Sequence, residues 1–404
     1  MKVAVVGAGI GGLCLAHGLL RAGTDVTVYE RDETIDSRGQ GYRLHLDAGQ
    51  ALYACLPPDL YELCVATSGR PSTAMTVMTE RLRPLRRTEI KPPADPLDPV
   101  TLSTSVNRQT LREILAARLD GVIEFGRTCT GFEQDSRGVT VSFSDGRPAH
   151  AEILVAADGI GSPIRRRYLP HAQLEDTGIV SLYGRTPLTD QSRLLVPPSA
   201  WDGFVAVVGS TVGMAIGVLD FGEPPDSAAR RLAPDVHLSP AQPYLMWAVT
   251  GSAGHFTGPL GGLGPAELHA VVVNTIRRWH PDLVRLVQSA SIQETSLVAI
   301  RTAVPIASWP ASRVTLLGDA IHAMSPARGS GANTALRDAA LLATELGAAA
   351  RDEKTPAAAI ADYERQMVDY GFAAVRASRS AELAMTRRRG AVLRYLISHL
   401  PAPR

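Results

Sequence analysis

Gly7, Gly9 and Gly12 hold the spacing G-x-G-x-x-G, and an acid, Glu30, follows roughly 20 residues after the last of them. These residue types at this spacing can hold a dinucleotide. Gly7 permits a tight strand-to-helix turn, Gly9 lets backbone approach a pyrophosphate, and Gly12 lets helix and strand pack closely. The whole turn, Gly7, Ala8, Gly9, Ile10, Gly11 and Gly12, would offer free N–H groups and the positive end of a helix dipole to the phosphates. Glu30 can accept hydrogen bonds from an adenosine ribose. A glycine-rich turn serving packing alone is the competing reading. Two further pairs, Asp158-Gly159 and Gly318-Asp319, set an acid beside a glycine at the end of a short apolar run. An acid so placed suits a crevice site, and Asp319 could bond a polyol hydroxyl.

The elements that must carry these residues follow from the hydrophobic pattern. Lys2–Val6 is a β-branched run long enough for one buried strand. Leu13, Ala16, Leu19 and Leu20 then give a helix face, stopped by Gly23, and Asp25–Tyr29 is a second strand. Residues 152–157 and 314–317 are buried-strand runs that lead into the two acid–glycine pairs. A Pro/Gly loop at 325–331 precedes a helix with Ala332, Ala335, Ala339, Leu342 and Leu346 on one face. Its first turn, Gly331, Ala332 and Asn333, aims N–H groups at any partial negative charge before it.

Between these units lie several basic side chains. Arg38, Gly39 and Gly41 suggest a loop of close backbone approach with a cation nearby, and residues 43–46 begin a helix or a short strand. Arg38 and Arg43 could equally be solvated. Residues 103–120 are expected to be helical, with Leu111, Ile114, Leu115 and Leu119 inward and Arg108 and Arg112 on the other side. Arg108, at the helix start, could reach a phosphate or a ribityl chain, or lie solvated. The run Arg165, Arg166, Arg167 would suit a phosphate-bearing partner or simply face water.

Residues 179–302 read as a separate antiparallel unit. Its strands are expected at 179–185, Gly203–Val208, Gly213–Leu219, 244–250 and 296–301, interrupted by helices at 264–279 and Pro281–Gln288. Residues 74–82 give one or two strands, 91–99 a proline-rich connector, and 355–399 a mostly helical tail with basic Arg387 to Arg389. The fold class is α/β: a dinucleotide domain at 1–70, 101–178 and 303–350, a substrate domain at 71–100 and 179–302, and C-terminal helices at 351–404. A sheet laid beside a dinucleotide domain makes a natural roof for a substrate pocket.

Composition narrows the function classes. The formal net charge of +1 over 404 residues argues for neither nucleic acid nor an anionic membrane as partner. No apolar run reaches the length of a membrane span, and the chain opens on a strand rather than a basic leader with an apolar plug. Cys14, Cys55, Cys64 and Cys129 form no CxxC pair and no ligand set with histidine, so neither a metal nor a redox disulfide is indicated, and a reducing cytoplasmic compartment fits.

The glycine fingerprint, the Asp158-Gly159 segment ADGIGSPIRR and the Gly318-Asp319 segment, in this order and at these separations, resemble the group A flavoprotein monooxygenases of the para-hydroxybenzoate hydroxylase fold. The resemblance covers nearly the whole chain. It implies a Rossmann-like FAD-binding domain of the GR2 type and two cofactors, FAD and NAD(P)H. Gly7, Gly9 and Gly12 would face the FAD pyrophosphate, Glu30 its ribose, Arg31 the adenosine half and Arg108 the pyrophosphate and ribityl region. Asp319 would hold the ribityl chain, and the backbone from Pro326 through Gly331, Ala332 and Asn333 would lie against the pyrimidine edge. Asp158 and Gly159 would serve both FAD and NAD(P)H, and Gly41 would pass beside the isoalloxazine ring.

The implied reaction is hydride transfer to the flavin, formation of a C4a-hydroperoxide with O₂, and delivery of one oxygen atom to an aromatic or polyketide-like small molecule. No protein nucleophile or other catalytic side chain is then required. Arg328 departs from the small residues usual in its loop and could reach flavin, substrate or solvent. His322 sits at a spacing the family often shows and is read as structural. By position in the sheet, Tyr183, Arg185, Met246 and Trp247 are pocket candidates, of which half should point away because strand neighbours alternate faces. A monomer or homodimer is expected. The rivals are an FAD-supported cyclase or reductase without net oxygenation, and a flavin-binding sensor or carrier. No W-x-W-x-I-P segment supports a halogenase, and no cysteine pair supports a disulfide reductase.

Overall fold

The computed structural model describes residues 1–37 and 41–386. The chain opens with β1 (Lys2–Val6), α1 (Ile10–Arg21), β2 (Asp25–Tyr29) and β3 (Arg43–Leu46), then α2 (Gly49–Cys55) and α3 (Pro58–Ala66). Next come β4 (Ala74–Thr79), β5 (Pro84–Glu89), β6 (Thr104–Asn107) and α4 (Arg108–Ala116). A run of strands follows, β7 (Ile123–Glu124), β8 (Cys129–Gln134), β9 (Val139–Phe143), β10 (Ala149–Ala151) and β11 (Ile153–Ala156), then α5 (Pro163–Tyr168). The long β12 (Leu174–Pro187), α6 (Asp190–Arg193), α7 (Pro198–Trp201), β13 (Gly203–Val208), β14 (Gly213–Leu219), α8 (Pro225–Leu232) and β15 (Tyr244–Ser252) lead to α9 (Pro265–Ile276) and α10 (Pro281–Gln288). The chain ends through β16 (Ser296–Ala303), β17 (Val314–Leu316), α11 (Asp319–His322), α12 (Gly331–Ala350) and α13 (Pro356–Thr386).

Two sheets organise the molecule. The first runs β17-β11-β1-β2-β7, all parallel. Its inner strands are continuous apolar runs such as Val3 to Val6 and Ile153–Ala156, because both α1 and the three-stranded β10-β9-β8 sheet pack against them. The second runs β16-β12-β15-β14-β13-β4-β5 and is antiparallel except where β4 joins β13 in parallel. One of its faces packs Leu182, Ile216, Leu245, Trp247 and Val249 against α9 and α10. Its other face turns towards the parallel sheet's strand ends, and that alternation is what places the site.

Two expectations are corrected. Residues 103–120 do not form one helix: Thr104–Asn107 is strand β6, which pairs with β3, and the helix begins only at Arg108. Of the two readings open for 43–46, the strand is the one found. The strand read at 179–185 is longer, because β12 pairs along both edges with β15 and β16. Arg38 lies outside the described residues, as do Arg387 to Arg389 and the tail beyond 386.

Candidate functional site

β1, β11 and β17 are adjacent and parallel, so Gly7, Asp158 and Gly318-Asp319 all leave the sheet at one edge. The four glycines of the first turn have separate tasks. Gly7 has φ +112°, and a Cβ there would meet the Ala157 carbonyl oxygen at 2.3 Å. At Gly12 a Cβ would meet the Gly7 carbonyl oxygen at 2.1 Å. Gly11 seats α1 against the last motif: its Cβ would lie 2.7 Å from Leu317 Cδ1 and 3.2 Å from Ala335 Cβ. Gly9 is different, since a Cβ there would meet nothing within 4 Å. It is the N-cap of α1, with no side chain capping the helix, and the first intrahelical bond is Leu13 N–H to the Gly9 carbonyl. Open space therefore lies in front of uncapped N–H groups.

Glu30 is 6% exposed and already employed by the turn. Its Oε2 accepts from Ala8 N–H at 2.7 Å and its Oε1 from Asp32 N–H at 3.0 Å. Arg112 completes this clamp. Its Nε donates to the Ala8 carbonyl at 3.0 Å, its Nη1 to the Ile35 carbonyl at 2.7 Å, and its Nη2 stands 4.0 Å from Glu30. The expectation that Arg112 sits on a water-facing side of the helix is thus overturned: that side of α4 faces the glycine turn, and Arg112 is 2% exposed. Arg31 stays exposed at the end of β2.

Asn107 caps α4, accepting from Gln109 N–H and Thr110 N–H, and so fixes Arg108 as the first helical residue. The Arg108 guanidinium stands 5.5 Å from the Tyr42 ring centre, and its Nη1 is buried without a hydrogen-bond partner. Asp319 is open to solvent at its surface while protein crowds the approach. Burial raises its carboxyl, against the pull of His322 and Arg108. Tyr42 lies within electrostatic range of both Arg108 and Asp319, so the three are neighbours.

The middle motif braces the last one. Gly159 turns with φ +75°, and burial pushes the Asp158 carboxyl up to about 6. Arg165 is buried, donating from Nη1 to the Ala320 carbonyl and from Nη2 to the Ile160 carbonyl, both at 3.0 Å. The arginine run is therefore neither a phosphate patch nor uniformly solvated. Arg166 bonds the Gly161 carbonyl, and Arg167 lies over the Phe132 ring. His322, read as structural from the sequence, is fully buried and pairs with Asp338.

At the start of α12, Thr334 N–H makes the first intrahelical bond, to Ser330, which leaves the N–H groups of Gly331, Ala332 and Asn333 without helical acceptors. The Asn333 side chain is spent on β3, donating to the His45 carbonyl and accepting from Asp47 N–H, both at 3.0 Å. Pro326 and Arg328 are exposed. Gly41 approaches the second sheet, where its carbonyl accepts from Arg185 Nη1 at 3.0 Å and Asn107 Nδ2 at 3.2 Å. Arg185 is also paired with Glu294, so its charge is already balanced. Arg185, Met246 and Gly217 form one row across β12, β15 and β14. Tyr183 shares this face and meets the Tyr42 ring edge-on at 5.5 Å. Trp247 points the other way, into the core, donating to Thr186 Oγ1.

Residues 1–190 and 273–378 match the FAD binding domain family. The chain belongs to that family. The residues fit the cofactor: the open front of Gly9 and the accessible Asp319 lie at one edge of the parallel sheet, and the unpartnered Nη1 belongs to Arg108, which is within electrostatic range of Asp319. Among its relatives is a dual O-methyltransferase/FAD-dependent monooxygenase CTB3 of Cercospora beticola, 32% identical over 390 residues, covering 90% of this chain. The chain spans only 44% of that relative's length. An FAD-dependent urate hydroxylase of Klebsiella pneumoniae is 30% identical over 385 residues, covering 91% of this chain and 86% of the relative. The crystal structure of a protein from Photorhabdus luminescens subsp. laumondii TTO1, assigned as an FAD containing monooxygenase, superposes with a TM-score of 0.81 at 31% identity, covering 95% of this chain and 98% of that one. No described helix of this FAD-family chain is long and apolar enough to cross a membrane.

Proposed function

We propose that this chain is an FAD-dependent monooxygenase that uses NAD(P)H and O₂ to insert one oxygen atom into an aromatic or polyketide-like small molecule. The observation that carries this reading is that Arg108 stands over the Tyr42 ring within electrostatic range of Asp319, while Tyr42 meets Tyr183 of the second sheet. It sets a nucleotide slot directly beside a sheet face that can hold a substrate. Residues 1–70, 101–178 and 303–350 would hold the cofactor, and 71–100 and 179–302 the substrate.

FAD, when bound, supplies the two-electron redox and oxygen chemistry. The protein binds, orients and excludes water. The start of α1 receives the pyrophosphate, and Glu30 with Arg112 keeps that turn rigid. Arg108 lends its free N–H groups to phosphate or ribityl oxygen, and Asp319 accepts from a polyol hydroxyl. The N–H groups of Gly331 to Asn333 favour negative charge placed before α12. Tyr183 and Met246 present an apolar wall that keeps water from the reacting atoms.

Purified protein should be yellow and should oxidise NAD(P)H faster when a substrate from a panel of phenols, polyketides and N-heterocycles is added, with product heavier by one oxygen. Turnover without NAD(P)H and without added oxygen would favour the FAD-supported cyclase. A colourless protein that takes up no FAD ends the proposal.

A further inference from the structure

The cofactor slot leaves Arg43 without a task, although the residue is built into the site. Along β3 the side chains alternate, with Leu44 and Leu46 in the core and Arg43 and His45 on the opposite side. The Arg43 side chain crosses to the second sheet and lies flat on β14 at Gly217. A Cβ at Gly217 would meet Arg43 Cδ at 2.9 Å and both Nε and Cζ at 3.1 Å. Arg43 Nε donates to the Val218 carbonyl at 3.3 Å. Gly217 stands opposite Met246, and Met246 opposite Arg185, so the guanidinium lies over the face that Tyr183 and Met246 line. In the next row of that face Ala215 pairs with Ala248 on one side and Ala206 on the other, with Tyr183 beyond Ala248.

Arg185 and Arg43 both reach this face, and the protein treats them differently. Arg185 is balanced by both oxygens of Glu294. Arg43 pairs with no carboxylate among the described residues. Burial lowers its guanidinium to about 10, and the nearby Tyr244 phenol is the only group that opposes this. A half-buried cation with no carboxylate beside it is costly, and that cost is recovered when an anion arrives. With Nε used on Val218, Nη1 and Nη2 remain for a two-pronged contact with an oxygen anion.

We propose that Arg43 is the receptor for an anionic oxygen, a carboxylate or an ionised phenol or enol, on a planar substrate lying along the Gly217 and Ala215 face. This deepens the oxygenase reading and rests on it for the word substrate. A neutral analogue would leave the cation unpaired, so charge rather than ring shape sets the selectivity at this end of the site.

The test is calorimetric binding to the FAD-loaded protein without reductant. The probes are 2-naphthoate against 2-naphthamide, and 2,4-dinitro-1-naphthol against its methyl ether. Wild type is expected to bind at least one anion about tenfold or more tighter than its neutral partner, and the arm that responds names carboxylate or phenolate. R43M should erase that preference while keeping the neutral ligand's affinity, the FAD content and the melting temperature. R43K should retain part of it. Equal losses for both members of a pair in R43M, no preference in wild type, or no binding of either anion overturns the proposal. So does R43M shedding FAD, which would assign Arg43 to the cofactor cradle. Because turnover is not read, probes that bind as expected to a protein that never oxygenates would sink the proposed activity and leave the anion receptor standing.

Discussion

His322 Nε2 and Asp338 Oδ2 stand 2.6 Å apart with neither side chain exposed to solvent. Asp338 also accepts from Gly318 N–H at 2.8 Å and from the Tyr370 hydroxyl at 2.6 Å. One buried carboxylate thus ties the backbone before Asp319 to α11, α12 and α13. Burial alone would lower the His322 imidazole, but Asp338 outweighs it and leaves the pKa raised above 6.5. The folded state holds that proton more tightly than the unfolded chain. The pair's contribution is therefore complete below about pH 6.5 and fades as pH rises through the raised value. D338N should cost about 3–5 kcal/mol and flatten this part of the stability profile, read by urea unfolding between pH 5.5 and 8.5. A mutant as stable as wild type at pH 5.5 would refute it.

Gly9 and Gly12 should separate cofactor binding from folding. G12A drives a Cβ into the Gly7 carbonyl and should cost on the order of 3 kcal/mol in the apoprotein. G9A touches no protein atom, so apoprotein stability should stay within about 0.5 kcal/mol. FAD affinity of G9A should nevertheless fall about tenfold or more, because the methyl group occupies the pyrophosphate's approach. Flavin fluorescence titration checks it, and unchanged FAD affinity in G9A contradicts the site.

Arg108 offers a second separation. Its Nη1 makes no hydrogen bond within the protein, so R108M should leave apoprotein stability nearly unaltered. A charge-assisted bond to the cofactor is worth about 1.5–3 kcal/mol, which corresponds to roughly ten- to hundredfold in the FAD dissociation constant. A loss of thermal stability with intact FAD binding would assign Arg108 to the fold instead.

Glu364 carries an opposite kind of prediction, a stabilising substitution. Its Oε1 accepts from Thr315 Oγ1 at 2.8 Å while Oε2 is buried without a partner. Burial raises the carboxyl from 4.5 to about 7. The folded protein keeps this proton where the unfolded chain has lost it, so stability falls as pH climbs from about 4.5 to about 7. E364Q should match wild type near pH 4.5 and exceed it at pH 8 by on the order of 2 kcal/mol, measured by denaturant unfolding at both values. Equal stabilities at pH 8 would refute the assignment.

Much of the fold was legible because its signals are local. The first strand, glycine turn, helix and Glu30 are contiguous, and each residue type there has a backbone reason. The two acid–glycine pairs could be read from the apolar runs before them. The Asn107 cap could have been read too, since Asn directly before a helical pattern is a start signal. Strand β6 could not, because four residues become a strand only when β3 arrives to pair with them. Arg112 and Arg165 looked like water-facing cations because a sequence shows a helix face but not what covers it.

What the sequence determined by itself was the presence of three strand-end motifs and of a second sheet, since periodicity and turn chemistry are properties of neighbouring residues. Only the tertiary structure decided how the cations are spent: Arg112 on the first turn, Arg165 on the last motif, Arg185 on Glu294, with Arg108 Nη1 buried without a partner and Arg43 bonded to a backbone carbonyl rather than a carboxylate. The physical reason is that a charge's role depends on which carbonyl or carboxylate reaches it first, and for these cations the partners lie as far as 175 residues away along the chain.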